Sequence, residues 1–299
     1  MLKVSAGLLV LLCIGALPAV AARGCGPTTV QLTVLDQGGS ALPGLTPSDF
    51  KVWIKNSTTN VTAVDYGLFP HATMVLVSKS PTMGQSLKME MARQMTQAMV
   101  ASAPGAIMVG TFAENASPLE DGRSGQAAGA DLAAGSDNRN AIYDAVLAGM
   151  SKMKVHRGDN IVLITDSPDD GSKASPSDLS QRLTAAGARL FVVALPPASA
   201  LSNMQTLIQV ADATGGEVLV PLHLDATTNG INITPTQVDG AVTKFNHDFT
   251  EHNNIYSIET ETDNQDRPLP LRVEVDRRKL GGGRVLAPAV TAPCSAIQQ

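Results

Sequence analysis

The fold turns on the stretch MVLVSKSPTMGQ, Met74 to Gln85. Four apolar residues run into a short loop, Ser78-Lys79-Ser80-Pro81-Thr82, and a helix-period pattern follows. A continuous apolar run without alternation means a strand buried on both faces, as in a parallel sheet covered by helices. In such sheets ligands sit at the loops that leave the carboxyl ends of the strands. This loop carries hydroxyls and a lysine but no carboxylate. It is therefore a metal site, a relic of one, or only a turn.

Working outward, the same texture recurs at AIMVGTF (106–112), NIVLIT (160–165), RLFVVAL (189–195) and EVLVPL (217–222). Helical stripes alternate with these runs: Leu87, Met91, Met95, Ala98 and Met99; Leu201, Met204, Leu207, Ile208 and Ala211; Val238, Val242, Phe245 and Phe249. The methionines of the first stripe read as core filling. Ser175-Pro176-Ser177-Asp178 reads as a helix start, with Ser175 as cap and Asp178 reaching back. Residues 70–252 are thus expected to form a doubly wound, mostly parallel α/β domain. Residues 27–69 and 253–292 alternate apolar and polar instead, and are expected to pair with each other in a small β-sandwich.

With 43% hydrophobic and 16% charged residues in 299, the composition is that of a globular protein of one large or two modest domains. The net charge of -5 and the lack of a Lys/Arg cluster argue against a nucleic-acid partner. Residues 1–21 read as a secretory signal peptide: Lys3, an apolar run from Ala6 to Val20, and small residues for cleavage near Ala21 or Ala22. Its removal would leave no transmembrane anchor in the mature chain, which points to a secreted or periplasmic protein. Cleavage would also remove Cys13 and leave Cys25 and Cys294. In an oxidising compartment a disulfide tying the two ends is the reading, with two unpaired tail thiols as the alternative.

The motifs, taken in order, resemble the von Willebrand factor A family, and most closely its secreted bacterial members of the kind abundant in Acidobacteria. The segment VLDQGGSALPGLTPSDFKVW (Val34–Trp53) resembles the stretch that precedes the domain in those proteins. AIYDA (Ala141–Ala145), LITDSPDDGS (Leu163–Ser172) and VADATGG (Val210–Gly216) resemble three further family motifs. The resemblance implies binding of protein, envelope or matrix ligands, with a Mg²⁺ held at the strand ends. Carried over position by position, the metal loop's aspartate is Ser78 here, its two serines are Ser80 and Thr82, the family threonine is Asn140, and its later aspartate is Asp166.

Ser80, Thr82 and Asp166 keep metal-ligand chemistry, whereas Ser78 and Asn140 do not keep the family's residue. Magnesium wants about six hard oxygens with one or two carboxylates among them. Lys79 adds a positive charge close by. The expectation is a degenerate metal site with no cofactor. Ligand contact is expected on Ser78–Met83, Asn138–Asn140 and Asp166–Asp170.

An enzyme is not expected. None of the histidines stands in a nucleophile-elbow or triad pattern, and no glycine-rich phosphate loop follows the first buried strand. The Asp169-Asp170 pair reads as a solvated turn. The alternatives are a periplasmic solute-binding protein, which predicts two lobes around a cleft, or an envelope structural or assembly protein.

Overall fold

The computed structural model describes residues 25–124, 132–137, 139–196, 204–223 and 232–294. The signal-peptide reading, Leu201 and Asn138 lie outside the described residues. In chain order the strands are β1 (Pro27–Leu35), β2 (Phe50–Ile54), β3 (Ser57–Thr59), β4 (Val61–Leu68), β5 (Thr73–Ser78), β6 (Ile107–Phe112), β7 (Glu120–Asp121), β8 (Asn160–Thr165), β9 (Arg189–Ala194), β10 (Glu217–Leu219), β11 (Asn254–Asp263), β12 (Leu271–Val275) and β13 (Arg284–Leu286). The helices are α1 (Lys88–Ser102), α2 (Ile142–Met153), α3 (Pro176–Ala186), α4 (Gln205–Ala213), α5 (Pro235–His252) and the single turn α6 (Arg277–Leu280).

The apolar runs assemble into one sheet of order β10-β9-β8-β5-β6-β7. Its strands are parallel except for the short edge strand β7, which pairs antiparallel with β6. Alternate side chains go to opposite faces. Val75, Val77, Val162 and Ile164 face α1 and α5, where Met91, Met95, Met99, Phe245 and Phe249 complete the layer. Met74, Leu76, Ile161 and Leu163 face α2, α3 and α4. The methionine stripe is therefore core. Leu87 is the exception: it is exposed, and with φ at 58° it stands outside the helix. The chain is a doubly wound α/β fold. Its switch in strand order falls between β5 and β8, because β6 was laid down on one side of β5 and β8 on the other.

The helix start at Ser175 forms as its residues dictate. The Ser175 hydroxyl accepts the Asp178 N–H at 3.1 Å, and Asp178 Oδ2 accepts the Ser175 N–H at 2.9 Å. In the VADATGG motif, Gly216 lets two segments touch, since a Cβ there would lie 1.8 Å from the Leu190 carbonyl oxygen.

The flanking segments pair as antiparallel strands, β11 lying between β1 and β4, and β12 beside β2. The sheets β13-β1-β11-β4 and β12-β2-β3 enclose one core that includes Leu32, Phe50, Val52, Tyr256 and Ile258. Tyr256 ties the Val34–Trp53 segment to this core: its hydroxyl donates to the Leu42 carbonyl at 2.7 Å and accepts from the Leu45 N–H at 3.1 Å. Cys25 and Cys294 are bonded, with Cα atoms 5.8 Å apart.

The buried Arg189, at the start of β9, joins the two parts. It donates to Thr33 of β1 at 3.2 Å, to the His252 carbonyl at 3.1 Å and to Asn160 at 2.7 Å. Burial lowers its guanidinium pKa to about 10, so it stays charged at neutral pH. The described residues form one α/β sheet with a β-sandwich beside it, which is not the pair of matching lobes that a solute-binding protein predicts. Among them no helix is long and apolar enough to cross a membrane.

Candidate functional site

In an open α/β sheet the crevice for a ligand opens outside the carboxyl ends of the strands, where the strand order reverses. Here that point lies between Ser78, the last residue of β5, and Asp166, the first after β8. The five positions singled out in the sequence meet there. The Ser78 hydroxyl donates to Asn140 Oδ1 at 2.9 Å and accepts the Ser80 N–H at 3.2 Å. The Ser80 hydroxyl donates to Asp166 Oδ1 at 3.1 Å and lies 3.0 Å from the hydroxyl of Thr82. Ser167 also donates to Asp166 Oδ1, at 3.2 Å, and Asn140 Nδ2 donates to the Ser167 hydroxyl.

These residues are assembled but not presented. Ser78, Ser80, Asn140 and Asp166 are 0%, 5%, 3% and 3% exposed, and only Thr82 among the five reaches solvent freely. The cluster is an internal polar network beneath the surface. The exposed residues near it along the chain include Thr82, Gln85, Leu87, Asp137 and Arg139.

The residue that sequence reading missed is Lys88. Its side chain is buried and its ammonium donates to Asp166 Oδ2 in an ion pair whose carboxylate is equally buried. Lys79, the lysine that drew attention in the sequence, takes no such part. Its N–H donates to the Phe112 carbonyl at 2.7 Å and its carbonyl accepts the Gly135 N–H at 2.7 Å, which ties the loop down. A signal for Lys88 did exist. It shares the apolar stripe of Met91, Met95 and Met99 at helical spacing, where a lysine has no place unless something neutralises it.

Of the Asp169-Asp170 pair read as a solvated turn, Asp170 is exposed, but both carboxylates also accept backbone N–H groups. Asp169 Oδ1 accepts the N–H groups of Ile142 at 2.7 Å and Tyr143 at 3.3 Å, and Asp170 Oδ1 accepts that of Asn140 at 2.6 Å. Asp169 thus caps the amino end of α2 from a neighbouring loop, where unpaired N–H groups and the helix dipole favour negative charge, and Asp170 holds Asn140, the residue before the cap position Ala141. Asp144 returns the contact by accepting the N–H groups of Lys173 and Ala174, each at 2.9 Å. The AIYDA and TDSPDDGS motifs therefore hold each other in register. Beside this lock lies a polar groove of about 430 Å³, with Glu114, Arg139, Asp144 and Lys173 among its walls.

The donor set at the switch point does not match the one magnesium prefers. It holds one carboxylate, with both oxygens engaged, the four hydroxyls of Ser78, Ser80, Thr82 and Ser167, the Asn140 amide and an ammonium. Among the described residues the only group of three histidine, cysteine, aspartate or glutamate side chains within reach of one ion is Cys25, Asp266 and Cys294, and its two sulfurs are bonded to each other.

Neither a family model nor a curated relative matches the chain. Solved structures to which it is similar include the SpRpn10 VWA domain, at 18% identity over 59% of this chain and 95% of that one, with a TM-score of 0.41. A von Willebrand factor type A structure from Catenulispora acidiphila is similar at 14% identity, covering 91% of this chain and 75% of the other, with a TM-score of 0.45. The ArnB paralog VWA2 from Sulfolobus acidocaldarius is similar at 13% identity over 91% and 78% of the two chains, with a TM-score of 0.40. At these identities and TM-scores the similarity assigns no residue a role.

Proposed function

We propose that the protein is a secreted, non-catalytic interaction module of the von Willebrand factor A kind, which meets a protein of the cell envelope or matrix at the carboxyl end of its sheet. One observation carries the reading: the motif residues Ser78, Ser80, Thr82, Asn140 and Asp166, spread over 89 positions, converge in one hydrogen-bonded network at the point where the strand order reverses. Capping of α2 by Asp169, with Asp170 holding Asn140 just before it, gives the surface there a rigid base, and rigid supports are what binding loops need. The groove walled by Glu114, Arg139, Asp144 and Lys173 adds a place for polar side chains of a partner.

The reading is tested by placing a photo-crosslinking residue at Thr82 and, in a separate variant, at the exposed Arg272 on the β-sandwich, then irradiating each in an extract of the native envelope. Crosslinks to a defined protein from position 82 and not from position 272 are expected. Equal yields from both positions, or yields from position 272 alone, would move the interface elsewhere.

A further inference from the structure

We propose that the Lys88 ammonium is the resident cation of this site, standing in permanently for the divalent ion, so that the site works without metal. This rests on the interaction-module reading for its purpose, but not for its chemistry.

Three observations meet on Lys88. The side chain is 2% exposed, too deep to serve as a solvated surface charge. Its ammonium is bonded to Asp166 Oδ2, while the other oxygen of that carboxylate takes the hydroxyls of Ser80 and Ser167. The backbone that leads into Lys88 is also strained. The chain enters α1 through Ser86 and Leu87, both left-handed at φ 52° and 58°, a region that side-chain-bearing residues rarely adopt. Local strain of this kind persists where surrounding contacts hold it in place.

The charges agree with this placement. Asp166 supplies one negative charge and Lys88 one positive charge, so the buried cluster is neutral as it stands. A divalent ion at the same carboxylate would face the ammonium at close range, a repulsion of about 4 kcal/mol per unit charge at ~4 Å and an effective dielectric of about 20. The replacement of the family's aspartate by Ser78 fits the same logic: a single positive charge needs one carboxylate, not two. A partner held here has no metal to bridge to, so its recognition does not depend on a metal-coordinating carboxylate of its own.

The test uses the whole mature protein and needs no partner. Melting temperature and calorimetry are followed with Mg²⁺, Mn²⁺ and Ca²⁺ against sodium chloride of equal ionic strength, for wild type, Ser78→Asp and Ser78→Asp/Lys88→Ser. Wild type and Ser78→Asp are expected to show no metal-specific shift. The double variant, with the second carboxylate present and the ammonium gone, is expected to bind Mn²⁺ at least about tenfold more tightly than either. Micromolar metal binding by wild type overturns the proposal, and so does equal binding by both variants. Amine-reactive labelling of native wild type gives a reading that needs no variant. Lys88 is expected to remain unmodified while exposed lysines react, and labelling at their rate overturns the proposal. If the crosslinking at position 82 fails while these results hold, the interaction reading falls and the resident cation stands.

Discussion

The Lys88–Asp166 pair makes a quantitative prediction. Breaking a buried pair by removing one partner leaves an uncompensated charge and costs about 3–5 kcal/mol. Both side chains are nearly fully buried, so Lys88→Met is expected near the middle of that range. Asp166→Asn is expected at its lower end, since the amide oxygen still accepts from Ser80 and Ser167. Lys88→Met/Asp166→Asn removes both charges. It is expected to cost at least about 2 kcal/mol less than the two single losses together, because neighbouring charges couple. Urea denaturation followed by circular dichroism measures this as a shift in midpoint at constant slope. Additive losses, or single losses below about 1 kcal/mol, would show that the ammonium is not held by Asp166 and would refute the internal-cation argument.

Two further perturbations test the rest of the architecture. The Cys25–Cys294 bond joins residues 269 positions apart, for which loop-closure entropy gives about 5.6 kcal/mol; Cys25→Ser/Cys294→Ser is expected to lose about 2–5 kcal/mol in urea, the usual range for a native disulfide, and a loss below about 1 kcal/mol would show that the strand pairing of the ends suffices without it. His71 is held neutral down to about 4, against an ordinary 6.5, by burial and by the Arg189 charge. The unfolded chain therefore binds a proton that the folded one refuses between those values, and stability falls as pH drops through them. With partial exposure discounted, the loss is on the order of 1–2 kcal/mol. Asp159, raised by burial, works in the opposite direction, so the clean measurement is the difference between wild type and His71→Gln across the range from about pH 7.5 to about pH 5. Parallel pH profiles would exclude His71 as the cause.

Much of the molecule could be read before any coordinates. Five apolar runs without alternation located the parallel strands, and methionines at helical spacing located the buried face of α1. Ser175 and Asp178 announced a helix start through local hydrogen bonds that need no tertiary partner. Two cysteines near the ends, together with alternating segments beside them, pointed to the pairing that β1 and β11 make. These features are legible because period and local capping are properties of neighbouring residues.

What joins Lys88 to Asp166 is not legible in that way. The two lie 78 positions apart, and a helical stripe records which side chains face inward without recording what they meet. The same holds for Asp169 and Asp170, whose bonds to the backbone of Asn140 and Ile142 show only once α2 is seen to begin beside them. The exposure of the motif hydroxyls was misjudged for a related reason: loops at strand ends belong to the surface as a class, yet here the residues above Ser78, Ser80 and Asn140 cover them. Sequence determined by itself the layers, the strand positions and the residues available to the site. Only the tertiary structure decided which charge neutralises which, because electrostatic pairing depends on distance through space, and the chain sets that distance only when the sheet closes.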